Sequence, residues 1–312
     1  MHNIPGGDVM ALPKIKMERP SVYNGLDWLI ALDEGLFAKE GLEVELIAHG
    51  GERDTNVEVS DWNQVPSNRG HAEAVERGCA NIFNACEWGN YRRSQDTAVG
   101  CRQLGRRASI VAGAVAVSPD SDIYTPQQLA NRTIAVPFHA GTHYLTLQLL
   151  EGFVPREMIK LVSSGRPSER YRAMMNGTVD ACSVREPWIT VAEKNGCRLI
   201  VQGFYNGTDT ATAEISAEAY AAINRALAEA VRRINANKRK YLHYFIETEK
   251  AAEVKALSLD DFNLNRIIFV EPGAPIPEEQ LMRTYQWMVS WNLIDAGHEV
   301  QDFVNTDVMP RV

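Results

Sequence analysis

The chain has 312 residues, 45% of them hydrophobic and 23% charged, and a formal net charge of −8. That length can bury a large core and divides more naturally into two lobes than one, while the acidic balance argues against a nucleic-acid partner, which would call for a basic face. No apolar run approaches the roughly 18 residues of a membrane-spanning helix, so no membrane insertion is expected.

The opening MHNIPGGDVMALPKIKMERP shows neither the apolar stretch nor the small-residue cleavage site of a secretory leader. The five cysteines, Cys79, Cys86, Cys101, Cys182 and Cys197, form an odd set without CxxC spacing. Such a set suits reduced thiols better than a disulfide framework or a zinc site. Both features point to the cytoplasm, the alternative being a periplasmic protein whose leader was removed. No cofactor and no metal are expected.

In chain order, PKIKMERPSVYN predicts a strand running into a loop, LDWLIALDEGLFAKEG an amphipathic helix closed by glycine, and LEVELIAHG the next strand. HAEAVERG reads as a short helix, CANIFNACEW as a strand and RRASIVAGAVAVSP as a long apolar strand. TPQQLANR is a capped helix before the strand TIAVPF, and residues 168–201 give helix, strand, helix, strand. Helices follow at 216–245 and 278–294. Strands alternating with helices imply an α/β fold with mostly parallel sheets.

Ligands of such folds sit beyond the carboxyl ends of strands, where loops pass into helices. Those positions hold Tyr23, Asn24 and Asp27; Cys86, Glu87 and Trp88; Gly141, Thr142 and His143; Arg185, Glu186 and Trp188; and Phe204 and Tyr205. In TIAVPFHAGTHYLTLQLL, a strand breaks at proline and glycine and becomes an apolar helix. The unpaired N–H groups and positive dipole end of that helix suit a small anion, although Thr142 can equally serve as its cap. Residues 48–78 place about twenty polar, poorly periodic residues between a strand and a short helix, a length that is usually functional or disordered. Trp62, Arg69 and His71 lie there, either on a surface flap or on a loop covering a ligand.

Three motifs in order carry a resemblance: GLDWLIALDEGLFAKEGLEVELI, TPQQLANRTIAVPFHAGTHYLTLQLLE and MMNGTVDACSVREPW. Together they resemble the nitrate/sulfonate/taurine substrate-binding proteins and their relatives, the superfamily that also holds the thiamine-pyrimidine synthases. The resemblance implies a two-lobed type II periplasmic-binding-protein fold with a ligand cleft between the lobes, residues 1–113 with 210–312 forming the first lobe and 114–209 the second. It also implies that the Thr142 helix start faces the cleft and takes a carboxylate, sulfonate or similar group.

A few proteins of this fold are cytosolic enzymes, among them the aromatic sulfinate desulfinase and the dihydroxyphthalate decarboxylase. The desulfinase is similar in having a long loop with arginine and glycine, here SNRGHAE, but its nucleophilic cysteine would fall in YNGLDW, which has none. Cys86 is the alternative. A cation, a histidine or a helix N-terminus would make it nucleophilic, and His71, Arg69 and His143 are the candidates to do so; the competing reading is a small buried hydrophobe.

Glu87 and Glu186 form a candidate acid/base pair if the cleft raises one pKa, with a structural salt bridge as the competing reading. Arg185 can fork onto an acidic ligand, but strand alternation sends Arg185 and Glu186 to opposite faces. Trp28, Trp88 and Trp188 are candidates to stack on a flat ligand, whereas Trp287 and Trp291, at i and i+4 of one helix, read as core.

Two functions follow. One is a cytosolic enzyme that cleaves a C–C, C–S or C–N bond of a small organic acid, with Cys86, His71, Arg69 and Glu87 as its catalytic set. The other is a solute-binding component of an ABC importer, with a permease as partner.

Overall fold

The computed structural model describes residues 14–47, 60–65, 71–97 and 99–309, with backbone alone at 71 and 72. β1 (Ile15–Glu18) buries Ile15 and Met17 and feeds α1 (Val22–Asp33), whose helical dihedrals break at Gly25. Pro20 packs where a Cβ at position 25 would sit, so the break needs glycine. α2 (Leu36–Lys39) follows the left-handed Gly35 and turns the chain into β2 (Val44–Ile47). After a single 3-10 turn at Trp62–Gln64, α3 (His71–Glu76) leads to β3 (Ile82–Cys86) and, without a loop, to α4 (Glu87–Asp96). β4 (Arg102–Arg106) then hands the chain to β5 (Ser109–Val117), a nine-residue run of small and branched residues that suits a strand covered on both faces.

The middle of the chain alternates β6 (Thr133–Val136), α5 (Gly141–Leu150), β7 (Lys160–Ser163), α6 (Pro167–Met175), β8 (Ala181–Arg185), α7 (Trp188–Lys194) and β9 (Arg198–Tyr205). β10 (Gly207–Ala211) follows β9 after one residue. α8 (Ala217–Ala236) is capped by Ser216, whose Oγ accepts the Ala219 N–H at 3.1 Å. Ala219, Ile223, Ala226, Leu227, Ala230 and Ile234 form its buried stripe, the 3.6-residue period expected of a helix lying on a sheet. The chain ends through α9 (Lys238–Tyr241), α10 (His243–Glu247), α11 (Ala252–Lys255), β11 (Ile267–Phe269), α12 (Glu278–Ser290) and α13 (Val300–Phe303).

The strands form two sheets, one in the order β2-β1-β3-β10-β4 and the other β11-β5-β8-β6-β7, with β9 also paired to β5. Parallel pairs join β1 to β2 and β3, and β6 to β7 and β8. The strands next to the crossings between sheets are antiparallel: β10 to β3 and β4, and β5 to β8, β9 and β11. Each sheet is therefore mixed, because the chain enters the second sheet along β5 and returns to the first along β10. β11 of the C-terminal third lies in the second sheet.

Candidate functional site

The first and second sheets meet where β3, β8 and β9 end and α1, α4 and α5 begin. Register makes the floor. Cys86 stands opposite Gly207 across β3 and β10, and two residues deeper Asn84 stands opposite Asp209. Period-2 alternation puts all four on one face of the sheet.

Cys86 caps α4, and its Sγ accepts the Gly89 N–H at 3.3 Å. Its side chain is 6% exposed, and burial pushes the thiol above its ordinary range, with Arg93 and Arg107 pulling it back. Burial thus favours the protonated thiol at Cys86, which is the buried reading of the two that the sequence leaves open. Glu87, the first residue of α4, is pushed up to about 7 by burial, against the charges of Arg106 and Arg107.

Trp88 is buried, its ring 5.5 Å from Tyr205, 5.9 Å from Tyr144 and 6.3 Å from Trp287. Tyr205 is the hub. Arg107 lies 5.8 Å from its ring centroid, and a Cβ on Gly141 would come within 2.4 Å of its ring. Glycine at 141 is therefore what lets the head of α5 approach Tyr205. Arg107 donates Nε to the Ser109 carbonyl at 3.1 Å, while its buried Nη2 has no hydrogen-bond partner among the described residues.

From the other side, the Arg185 guanidinium sits 3.8 Å over the Tyr23 ring. Asn24 accepts the Ser109 hydroxyl on its backbone carbonyl at 2.9 Å. Asp27 is buried and pushed up to about 7, by desolvation first and by the Asp209 charge second. Cys86, Glu87, Trp88, Tyr205, Gly141, Tyr23 and Arg185 thus gather at one place.

Other candidates lie elsewhere or are committed. Thr142 is not the cap of α5; that position is Ala140, without a side-chain cap, and Thr142 Oγ1 instead accepts the Ser183 hydroxyl at 3.3 Å. His143 packs among Phe138, Trp62 and Tyr144, and its Nδ1 accepts the His139 backbone N–H at 3.2 Å. Burial holds its pKa well below the ordinary value, so it is a neutral imidazole and not a cation for an anion.

Glu186 is 3% exposed and fully engaged. Oε1 takes Arg266 Nε at 2.7 Å and Oε2 takes the Thr190 hydroxyl at 2.8 Å, while Arg266 also pairs with Glu193. This is the structural salt bridge, and it removes Glu186 from an acid/base pair with Glu87. Trp188 packs on Tyr171 at 5.4 Å and Trp28 on Phe37 at 5.2 Å, both within a core cluster separate from that of Cys86 and Trp88, so neither is a stacking platform. Phe204 is 46% exposed.

The polar insertion reaches the second sheet's side at Trp62, whose carbonyl meets His139 Nε2 at 2.7 Å and whose ring lies 6.1 Å from Phe138. Arg69 lies outside the described residues. His71 begins α3, and its side chain is likewise outside them.

Sequence reasoning missed Arg93 and Arg107. Arg107 follows the end of β4, so the strand-end rule could have found it; Arg93 lies a turn inside α4, where no such rule points. Among the described residues no group of three or more His, Cys, Asp or Glu could hold a metal ion, and no helix is long and apolar enough to cross a membrane.

A cleft between two mixed sheets, each crossed twice by the chain, defines a protein of the periplasmic-binding-protein fold. Solved structures similar to it include the alkanesulfonate-binding protein SsuA of Xanthomonas axonopodis pv. citri bound to MOPS, with TM-score 0.66, 14% identity, and 97% of this chain and 99% of that chain covered. The periplasmic aliphatic sulphonate binding protein SsuA of Escherichia coli is similar at TM-score 0.67 and 14% identity over 95% and 99%. The desulfurization enzyme DszB is similar at TM-score 0.59 and 15% identity over 93% and 96%. No protein-family model and no curated protein sequence matches the chain.

Proposed function

We propose that the protein is an enzyme of the periplasmic-binding-protein fold that binds a small organic acid in the cleft and replaces its acid group by hydrogen. The observation that carries this reading is Cys86, a buried thiol on a helix cap, set among Arg107, Glu87 and Tyr205. Arg107, with its free Nη2, receives the acid group, and Trp88 and Tyr205 flank the body of the ligand. As the bond between carbon and the acid group breaks, the electron pair stays on carbon and the Cys86 thiol supplies the proton. A sulfinate then leaves as SO2 or a carboxylate as CO2, and Glu87 is placed to return a proton to the sulfur. An enclosed site favours such a step because it excludes competing water. This reading goes with a cytoplasmic protein.

The sulfonate-binding structures similar to this one favour a second reading, a solute-binding protein that delivers its ligand to an ABC permease from the periplasm. Incubation with a panel of aromatic and aliphatic sulfinates, sulfonates and carboxylates, followed by mass spectrometry, separates the two. The enzyme yields the proton-replaced product, and Cys86→Ser abolishes it while retaining binding. Tight binding with every ligand recovered intact establishes the importer reading instead.

A further inference from the structure

Arg93 is a buried arginine whose Nε and Nη1 have no hydrogen-bond partner among the described residues, a costly state for a side chain that always carries charge. Its place explains the cost. A Cβ built on Gly89 would come 2.5 Å from Arg93 Nη1 and 2.9 Å from Cys86 Sγ, so guanidinium and sulfur occupy the two sides of a gap that only glycine leaves open. The four-residue spacing of Gly89 and Arg93 lays the arginine back over the first turn of α4, toward its own cap.

We infer that Arg93 is the positioning residue that holds the negative charge of Cys86 once the thiol gives up its proton, with Gly89 supplying both the space and the N–H donor. The inference rests on the role of Cys86 in the proposed reaction, but its test does not need the substrate. The groups facing the sulfur are Arg93 and Glu87 on α4, Arg107 beyond β4, Tyr144 on α5 and Tyr205 on β9. Of the two arginines, Arg93 exerts the stronger pull on the thiol. Tyr144 and Tyr205 reach the sulfur from the second sheet's side. Cys86 and Arg93 both belong to the β3–α4 unit, so their juxtaposition does not depend on the second sheet.

The experiment is alkylation of Cys86 by iodoacetamide across pH, read on its own peptide by mass spectrometry. The thiol loses its proton to solvent, the thiolate sulfur bonds to the reagent carbon, and iodide leaves. Arg93→Gln should move the Cys86 profile upward by about one pH unit or more, a tenfold slower reaction at fixed pH below it; Arg93→Lys should restore most of the loss. Gly89→Ala, whose methyl wedges between the guanidinium and the sulfur while keeping both in the chain, should move the profile the same way and covers the case in which Arg93→Gln does not fold. The Cys79 peptide, from an exposed thiol, should keep its wild-type profile in every variant. Superimposable Cys86 profiles in wild type and either Arg93→Gln or Gly89→Ala would overturn the inference, as would a failure of lysine to restore it. If the profiles shift but no substrate is turned over, the positioning role stands and the proposed reaction falls.

Discussion

The Arg185 guanidinium stands 3.8 Å over the ring of Tyr23, joining the end of β8 to the first turn of α1 across the mouth of the cleft. A cation over an aromatic face contributes about 0.5–2 kcal/mol, more as water is excluded. Tyr23 lies on the helix that follows the first sheet and Arg185 ends a strand of the second, so the contact ties the two sheets together. Arg185→Ala should therefore lengthen the molecule in small-angle X-ray scattering while leaving helix content unchanged. Identical scattering curves would show that the pair does not hold the lobes together.

Gly141 predicts a packing penalty. A methyl at this position would meet the Tyr205 ring at 2.4 Å, far inside contact distance, and Tyr205 is itself packed against Trp88. Gly141→Ala should destabilise the protein by ~1–3 kcal/mol, the usual cost of overpacking, measured as a lower urea midpoint. Tyr205→Phe should not relieve it, because ring carbons as well as the hydroxyl lie in the way; Tyr205→Ala should relieve part of it.

Glu186 and Arg266 form a buried pair in which each side chain is satisfied on several atoms. Removing one member strands the other, at about 3–5 kcal/mol. Arg266→Met should thus be strongly destabilising, and adding Glu186→Leu should recover much of the loss. A double variant no more stable than Arg266→Met would show that the charges themselves, and not their mutual satisfaction, stabilise the fold.

The elements with strong local patterns were legible in the sequence. The α8 stripe, the apolar β5 and the β6–α5 junction all follow from period and composition. The rule that ligands gather at strand ends located Cys86, Glu87, Trp88, Gly141, Arg185 and Tyr205, because register fixes where a strand stops. It failed where the chain turned after the strand. In REPW the turn at Pro187 carries Trp188 into the core against Tyr171, and Glu186 is claimed by Arg266, eighty residues away in sequence. The alternative reading of Thr142 as the helix cap falls on one turn-defining detail, since the cap of α5 is Ala140. Arg93 was not legible at all, as its meaning depends on Gly89 leaving room beside Cys86.

The pair Asp27 and Asp209 sets a pH dependence whose sign can be worked out. Burial pushes each carboxyl up to about 7, with the neighbouring carboxylate adding to the shift at Asp27 and the Tyr220 hydroxyl, donating to Asp209 at 3.0 Å, opposing it there. An unfolded aspartate titrates near 3.9. Between that value and about 7 the native protein retains protons that the unfolded chain has lost, so stability falls as pH rises. The contribution is fully present below the unfolded value and is gone above the folded one. Asp27→Asn removes one of the two titrations without removing volume. The stability of the wild type relative to Asp27→Asn, taken from urea unfolding at a series of pH values, should therefore decline steadily from about pH 4 to about pH 7 and then level off. A difference that stays flat across that range, or grows with pH, would mean that Asp27 is ionised in the folded protein and that a cation, not a proton, balances it.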